Sequence, residues 1–534
     1  MQNDKTLTIA EAARLIRARS ISSVELTQAL LRRIETLDGQ LNAFNTVTGE
    51  LAIKQARQAE TELMRGHDRG PLHGIPFGLK DVYDTAGIRT SGYSRVFMNN
   101  VPAKDATIVS RIFAGGGILL GKLATHELAN GGPSRDLPWP PARNPWNREY
   151  FTGGSSTGPG AAVAAGFLPA ALGTDTGGSI RIPAAMCGVV GFKPTYGLVS
   201  RAGVMPHSFS IDHCGPITRT VEDSAIMLET IAGYDAADAA SVDRPVPHYR
   251  SALRSDIKGL RVAVVRHFWE RDTRVHDDVG HAMDAALDVL AGLGAQIETI
   301  RLRPLQSYYD IKTLITKPEV FAAHRQNLIE RTGDFGADFL GMTLPGCLIQ
   351  ADDYAWAKLE RQRMIAEMAA VFERFDVIVT ASSGPAMRLD AVNASRVFDH
   401  WRKPNLETPF SVLGLPAIAL CNGFSRDGLP LSMQIAGRAF DEQTVLNVAY
   451  AYEQATPWRD KWPKLAVQPV AEPQVHGIKT VEIPEANPKT RQAVATMAAD
   501  AGLRLTDERF AQLCVIAPLV QEAVVRAHAF KTNS

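Results

Sequence analysis

Two serines in glycine-rich turns and a lysine behind an apolar run are of residue types that could carry nucleophilic chemistry. Lys80 closes HGIPFGLK (73–80), Ser155 lies in GGSSTGPGAAVAAG (153–166), and Ser179 lies in GTDTGGSIRIP (173–183). A serine hydroxyl is a poor nucleophile until a neighbouring group accepts its proton. The stretch around Ser179 contains no histidine to do so. The two serine-bearing turns flank small residues suited to close packing, and the apolar run before Lys80 would bury that lysine. Glycine turns alone also serve as tight turns in an α/β core.

Other patterns fit their chemistry less well. Gly116-x-x-x-x-Gly121-Lys122 nearly completes a phosphate-binding loop, but Leu123 replaces the Ser or Thr that binds magnesium, and the ILL interior suits a strand. Gly154-Ser155-Ser156-Thr157-Gly158 fits the nucleophile elbow in form, yet the EYFTGG before it is a poor core strand. Ser255-Asp256-Ile257-Lys258 matches the serine and lysine pair of β-lactamase-like folds, but lies in a charged lead-in to a strand. The histidines form no H-E-x-x-H and no Cys/His cluster, so neither a metal nor another cofactor is expected.

The elements that must hold these residues read as α/β. Thr8-x-x-Glu11 and Ser22-x-x-Glu25 are capping boxes ahead of apolar residues at helical spacing, which predicts two opening helices. GGGILLGKL (115–123) reads as a buried strand, and GFLPAALGTDT (166–176) as a closely packed strand and turn. LRVAVV (260–265), DDVGHAMDAALDVLAGLG (277–294) and AQIETIRL (295–302) read as the strand, helix and strand of a parallel crossover. FDVIVTASS (375–383) and PAIALCN (416–422) are further buried strands. The expected body, residues 1–465, is a large mixed β-sheet core covered by helices on both faces. Proline-rich residues 466–487 read as a linker. Residues 488–534 read as a small C-terminal helical appendage of two amphipathic helices around Gly502, too short for a core of its own. It is expected to dock on the body or on a second subunit.

Composition narrows the partners. Lys plus Arg equals Asp plus Glu at 57 each with no long block of like charge, so neither nucleic acid nor an anionic membrane is expected, and a small molecule is. The five cysteines are scattered and never spaced C-x-x-C, against a disulfide scaffold and a zinc site. A reducing, cytoplasmic setting is expected. The N-terminus shows no signal-peptide apolar segment, and the uncharged stretch between Glu149 and Asp175 is too rich in Gly, Pro, Ser and Thr for a lipid-exposed helix.

Taken together, the segments resemble the amidase signature family. The resemblance rests on Lys80 in GIPFGLKD, Ser155 in GGSS and Ser179 in GTDTGGSIR. It extends through GKLATHELANGG (121–132), RNPWN (143–147), GFKPTYGLVSRAGV (191–204), DHCGPITRTVEDSA (212–225), TPFSVLGLPAIAL (408–420) and GLPLSMQIAGRAFDE (428–442), covering roughly residues 8–463. It implies a triad in which Ser179 is the nucleophile, Ser155, held in a cis peptide, relays the proton, and a neutral Lys80 receives it. Lysine ordinarily titrates near 10.4, so burial must lower Lys80 for this role. Backbone N–H groups of Thr176, Gly177, Gly178 and Ser179 would form the oxyanion hole, and Asp175 and Arg181 would hold the loop.

Where the family usually runs GGSSGGS this chain has GGSSTGP, and Thr157 and Pro159 are expected to stiffen the loop carrying Ser155. The tail resembles the small helical partner subunits of some family amidases, here fused in cis. Substrate-binding candidates are Ala129, Asn130 and Gly131 in one turn, with His207 and Phe209 beyond the nucleophile. The expected activity is hydrolysis of a small linear carboxylic amide through an acyl-enzyme. The same chemistry serves carbamates, urea derivatives and esters. A different class is the A-type subunit of a glutamine-dependent amidotransferase, which releases ammonia for transfer to an aminoacylated tRNA. A homodimer, with the tail at its interface, is a further expectation.

Overall fold

The computed structural model describes residues 6–391, 401, 403–466 and 485–529. It opens with α1 (Ile9–Arg17) and α2 (Ser23–Leu37), each started by the expected reciprocal cap. Next come β1 (Phe44–Val47), α3 (Gly49–Met64), β2 (Pro76–Lys80), α4 (Thr107–Ala114), β3 (Ile118–Leu123), and a separate ribbon of β4 (Arg143–Asn144) and β5 (Asn147–Phe151). The glycine-rich centre supplies α5 (Thr157–Ala164), β6 (Ala170–Asp175), α6 (Arg181–Cys187) and β7 (Val190–Lys193). Then follow β8 (His213–Thr218), α7 (Val221–Ile231), β9 (Arg261–Val264), α8 (Asp277–Gly292) and β10 (Gln296–Thr299). Helices α9 (Leu305–Glu330), α10 (Ala337–Thr343) and α11 (Ala351–Arg374) precede β11 (Val377–Ala381) and α12 (Thr408–Val412). The body closes with β12 (Ala417–Phe424), β13 (Pro430–Gly437) and α13 (Glu442–Ala455), and the tail holds α14 (Pro488–Asp500) and α15 (Asp507–Ala529).

One mixed sheet of eleven strands, ordered β1-β3-β2-β6-β8-β7-β12-β13-β11-β9-β10, forms the centre. Strands β9 and β10 pair in parallel on either side of α8, the crossover expected from their sequence. For the site the decisive trio is β3, β2 and β6, also mutually parallel. Every residue of PFGLK and AALGTD is buried, as strands covered on both faces require. Gly78 pairs with Ala171 and Leu79 with Leu172, so the C-terminal ends of β2 and β6 bring Lys80 and Asp175 to the same edge of the sheet. Loops at such an edge are where parallel sheets place their chemistry.

The GGSS segment departs from the expected geometry. Thr157 and Pro159 do not stiffen a loop but form the first turn of α5, where a proline's missing N–H has no intrahelical acceptor to lose. The strand β5 ahead of them is a half-exposed member of the small ribbon, not the core strand a nucleophile elbow needs.

The tail docks on the body. Val494 and Ala498 of α14 and Leu513, Ile516, Leu519 and Val520 of α15 join Val320, Phe321 and Leu328 of α9 in one apolar cluster. Burying each such branched side chain stabilises the contact by about 1.5–3 kcal/mol, and Arg526 clamps the buried Asp310 of α9 at 2.7 and 2.9 Å. By length and composition α15 could also cross a membrane; here its apolar stripe lies in that cluster. The two helices fall between residues 488 and 529, whereas residues 530–534 of the expected module and most of the linker expected at 466–487 lie outside the described residues.

Candidate active site

Lys80, the last residue of β2, is fully buried. Its Nζ donates to Ser155 Oγ at 2.7 Å and to Thr174 Oγ1 at 2.7 Å. Burial in this apolar strand end lowers its pKa from 10.5 to about 7, against a partial upward pull from Asp212 and Asp175.

Ser155 follows a cis Gly154–Ser155 peptide, as the family resemblance implies. The next residue ties its loop to the Ser179 turn. The Ser156 N–H donates to the Ser179 carbonyl at 3.3 Å, and Ser156 Oγ sits 3.3 Å from both the N–H and the carbonyl oxygen of Thr174. That approach depends on Gly173, where a Cβ would stand 2.7 Å from Ser156 Oγ.

The turn from Asp175 to Arg181 is built around a buried ion pair. Arg181 donates through Nε at 3.0 Å and Nη2 at 3.1 Å to the two oxygens of Asp175, and through Nη1 to Gln434 at 2.9 Å. Burial opposes ionisation of Asp175, but the Arg181 charge and hydrogen bonds, with Lys193 and His213, hold its carboxyl well below the usual range. Asp175 also accepts the N–H groups of Gly178 at 2.8 Å and Ile180 at 3.3 Å. Gly178 has φ +124°, and a Cβ there would meet Ile182 at 2.7 Å. The expected oxyanion set is thereby reduced: the Gly178 N–H is committed to Asp175, leaving Thr176, Gly177 and Ser179. Ser179 itself is partly exposed, at the rim of the site.

A cavity of about 190 Å³ passes Thr174 and is lined by Ala129, Met205, His207, Phe209 and Asp212, among others. Three of the five pocket candidates thus border it. Asn130 instead donates to Thr343 at 2.8 Å, and Gly131, at φ +81°, packs against Asp338, so both serve the packing of α10 in this structure. Asp212 is a wall residue that the sequence reading did not single out. It accepts Thr176 Oγ1 at 2.5 Å and the N–H groups of His207 at 2.9 Å and Ser208 at 2.8 Å, while burial pushes its carboxyl up to about 6. Thr174 was also missed as a partner of Lys80, although it lies inside the quoted GTDTGGS. Two further residues, Lys312 and Lys317 of α9, act on His207 from more than 100 positions away in sequence and left no local signal. Among the described residues no cluster of three or more His, Cys, Asp or Glu side chains could hold a metal ion.

The model of the Amidase family matches residues 25–446. The A-type subunit of the glutamyl-tRNA(Gln) amidotransferase from Roseiflexus sp. (strain RS-1) is 38% identical over 485 residues, spanning 86% of this chain and 99% of the relative. Among solved structures, the peptide amidase from Stenotrophomonas maltophilia superposes with a TM-score of 0.76 at 29% identity, over 86% of this chain and 98% of that one. An s-triazine catabolic enzyme, in an inhibitor-bound vestigial protein complex, gives 0.78 at 28% identity over 84% and 98% of the two chains.

Proposed function

Since this chain belongs to the amidase signature family, we propose that it cleaves the C–N bond of an amide through an acyl-enzyme on Ser179, with Ser155 and Lys80 as its proton relay. The observation that carries this reading is a buried lysine of lowered pKa, 2.7 Å from the serine beside the Ser179 turn. Ser179 Oγ attacks the carbonyl carbon while its proton passes to Ser155 and that of Ser155 to Lys80. The N–H groups of Thr176, Gly177 and Ser179 face the oxyanion, and Asp175 and Arg181 keep the turn in shape. Collapse of the tetrahedral intermediate breaks the C–N bond, and the relay returns the proton to the departing nitrogen. Water then attacks the ester by the same route.

Two readings of the substrate remain within this chemistry. The curated relatives, similar over nearly their whole length, favour glutamine as the amide and a place as the A-type subunit of an amidotransferase. The docked tail favours a free-standing hydrolase of a small amide, carbamate, urea derivative or ester, because a helical module already covers α9 in cis. A cytoplasmic setting belongs to either reading.

Release of ammonia, amine or alcohol from glutamine, neutral amides, carbamates and esters, with Ser179→Ala as the blank, tests the proposal. Ammonia from an amide is expected from the wild type and none from the blank. Glutamine turnover only on adding other amidotransferase subunits establishes the subunit reading, and unaided turnover establishes the free enzyme. Amide cleavage that survives in the blank defeats both.

The same relay makes a pH prediction. The Asp212 carboxylate favours the Lys80 ammonium, so Asp212→Asn is expected to lower the Lys80 pKa further and keep the base neutral in more acid solution. The acid limb of kcat/KM, which should lie near pH 7 in the wild type, then moves to lower pH. A limb that stays in place or moves upward would remove Lys80 as the group that sets it.

A further inference from the structure

Five lysines in this region are buried, and three have clear partners. Lys122 pairs with Asp81 at 3.4 Å and donates to the Tyr83 carbonyl and to Thr90. Lys193 donates to the carbonyls of Pro194 and Leu415, and Lys80 to Ser155 and Thr174. The other two, Lys312 and Lys317 on α9, are only 6% and 2% exposed. Among the described residues no hydrogen bond or salt bridge reaches either ammonium, and Lys312 has only the face of Tyr309, 4.5 Å from its Nζ.

Lys312 stands at the catalytic turn. A Cβ built on Gly177 would stand 3.3 Å from Lys312 Nζ, which places that ammonium over the glycine turn just ahead of Ser179. The Lys312 charge is felt at Lys317, and with burial the two lysines hold the His207 imidazole, a wall of the cavity, well below its ordinary pKa. The nearby carboxylates make their hydrogen bonds elsewhere, although the Asp175 charge still acts on Lys312. Asp175 is bound by Arg181, and Asp212 by Thr176 and the 207–208 backbone. Glu319, two residues beyond Lys317, accepts from Ser208, Ser210 and Tyr354. Burial lowers the pKa of Lys312 to about 8 and, with the Lys312 charge, pushes that of Lys317 well down, and an anion bound beside them would favour their charged forms.

We propose that Lys312 and Lys317 form an anion subsite of the catalytic pocket, and that the amide cleaved at Ser179 carries a carboxylate as its recognition group. A carboxylate accepts hydrogen bonds on both of its oxygens and suits a lysine ammonium. Half-amides of short dicarboxylic acids fit this description, and so does glutamine. The inference rests on the amide-hydrolase reading and narrows its substrate class.

The test separates the two. Calorimetric binding of succinamate and of its neutral isostere succinamide is measured on Ser179→Ala protein, alone and with Lys312→Met or Lys317→Met added. The kinetic preference for succinamate over succinamide is measured in the Ser179 background. Methionine keeps most of the lysine volume, and Lys317→Arg, which keeps the charge, controls for misfolding. Succinamate is expected to bind tighter than the diamide, each methionine substitution to weaken it about 10- to 100-fold, and arginine to restore part of the loss. The kinetic preference should fall in parallel. Equal binding of acid and diamide, or a preference that survives both substitutions, overturns the subsite even if Ser179-dependent turnover persists. Tighter binding of 3-phosphonopropanamide than of succinamate would overturn the carboxylate in favour of a phosphate-like anion. If succinamate binds through the lysines but no amide is turned over, the hydrolase reading fails and the anion subsite stands.

Discussion

Ser179→Ala is expected to lower kcat by about five to six orders of magnitude, as loss of a nucleophile does when the rest of a serine hydrolase machinery is intact. The fold should be indifferent to the change. The turn is held by Asp175, through Arg181 and the N–H groups of Gly178 and Ile180, and none of these contacts uses the Ser179 side chain. Ser179 is also partly exposed, so removing its hydroxyl leaves no buried polar group without a partner. The melting temperature should stay within a few degrees, and a serine-reactive phosphonate should no longer label the protein. Label retained on Ser155 or Ser156 would assign the nucleophile to the GGSS loop.

Lys80→Met has the second largest expected effect, a loss of about three to four orders of magnitude in kcat/KM, the upper range for removing a general base. It should come with a gain in stability. The folded pKa of Lys80 is lowered to about 7 from 10.5, so between those values the unfolded chain binds a proton that the native protein does not, and stability rises with pH. Below pH 7 the full penalty is present; above 10.5 it is gone. Methionine removes it, which at neutral pH is worth on the order of a few kcal/mol. A less active and more stable protein, whose remaining activity has lost the acid limb near pH 7, is the expected signature. Near-normal activity at every pH would eliminate Lys80 as the base. Equal loss of activity and stability would mark it as a packing residue.

Much of this was legible because the signals were local. Capping boxes need only a hydroxyl and a carboxylate three residues apart, and Thr8 with Glu11 and Ser22 with Glu25 form them as read. The β9-α8-β10 crossover followed from a buried strand, an amphipathic helix and a glycine stop. Lys80 and Ser155 could be matched because each sits in a dense motif. What escaped depended on direction or on distance. The spacing of TGGS cannot reveal that Asp175 turns back to take the Gly178 N–H, since the rotation of one peptide decides it. Asn130 and Gly131 read as pocket residues because their turn borders the site, but α10 packs against that turn from more than two hundred residues away. Lys312 and Lys317 lie in a helix buried on nearly every side, where lysines interrupt apolar runs without forming a polar stripe. Only the tertiary fold puts Lys312 beside Gly177.

The Arg526 clamp on Asp310 and the apolar cluster beneath it join the tail to α9, two residues before Lys312. A helical module supplied by a separate chain would leave that face when diluted below its dissociation constant. A module on the same chain sees its docking face at an effective concentration on the order of millimolar, however little protein is present. The state of α9 is therefore set at a fixed one-to-one ratio, and the environment of its two buried lysines does not vary with expression level.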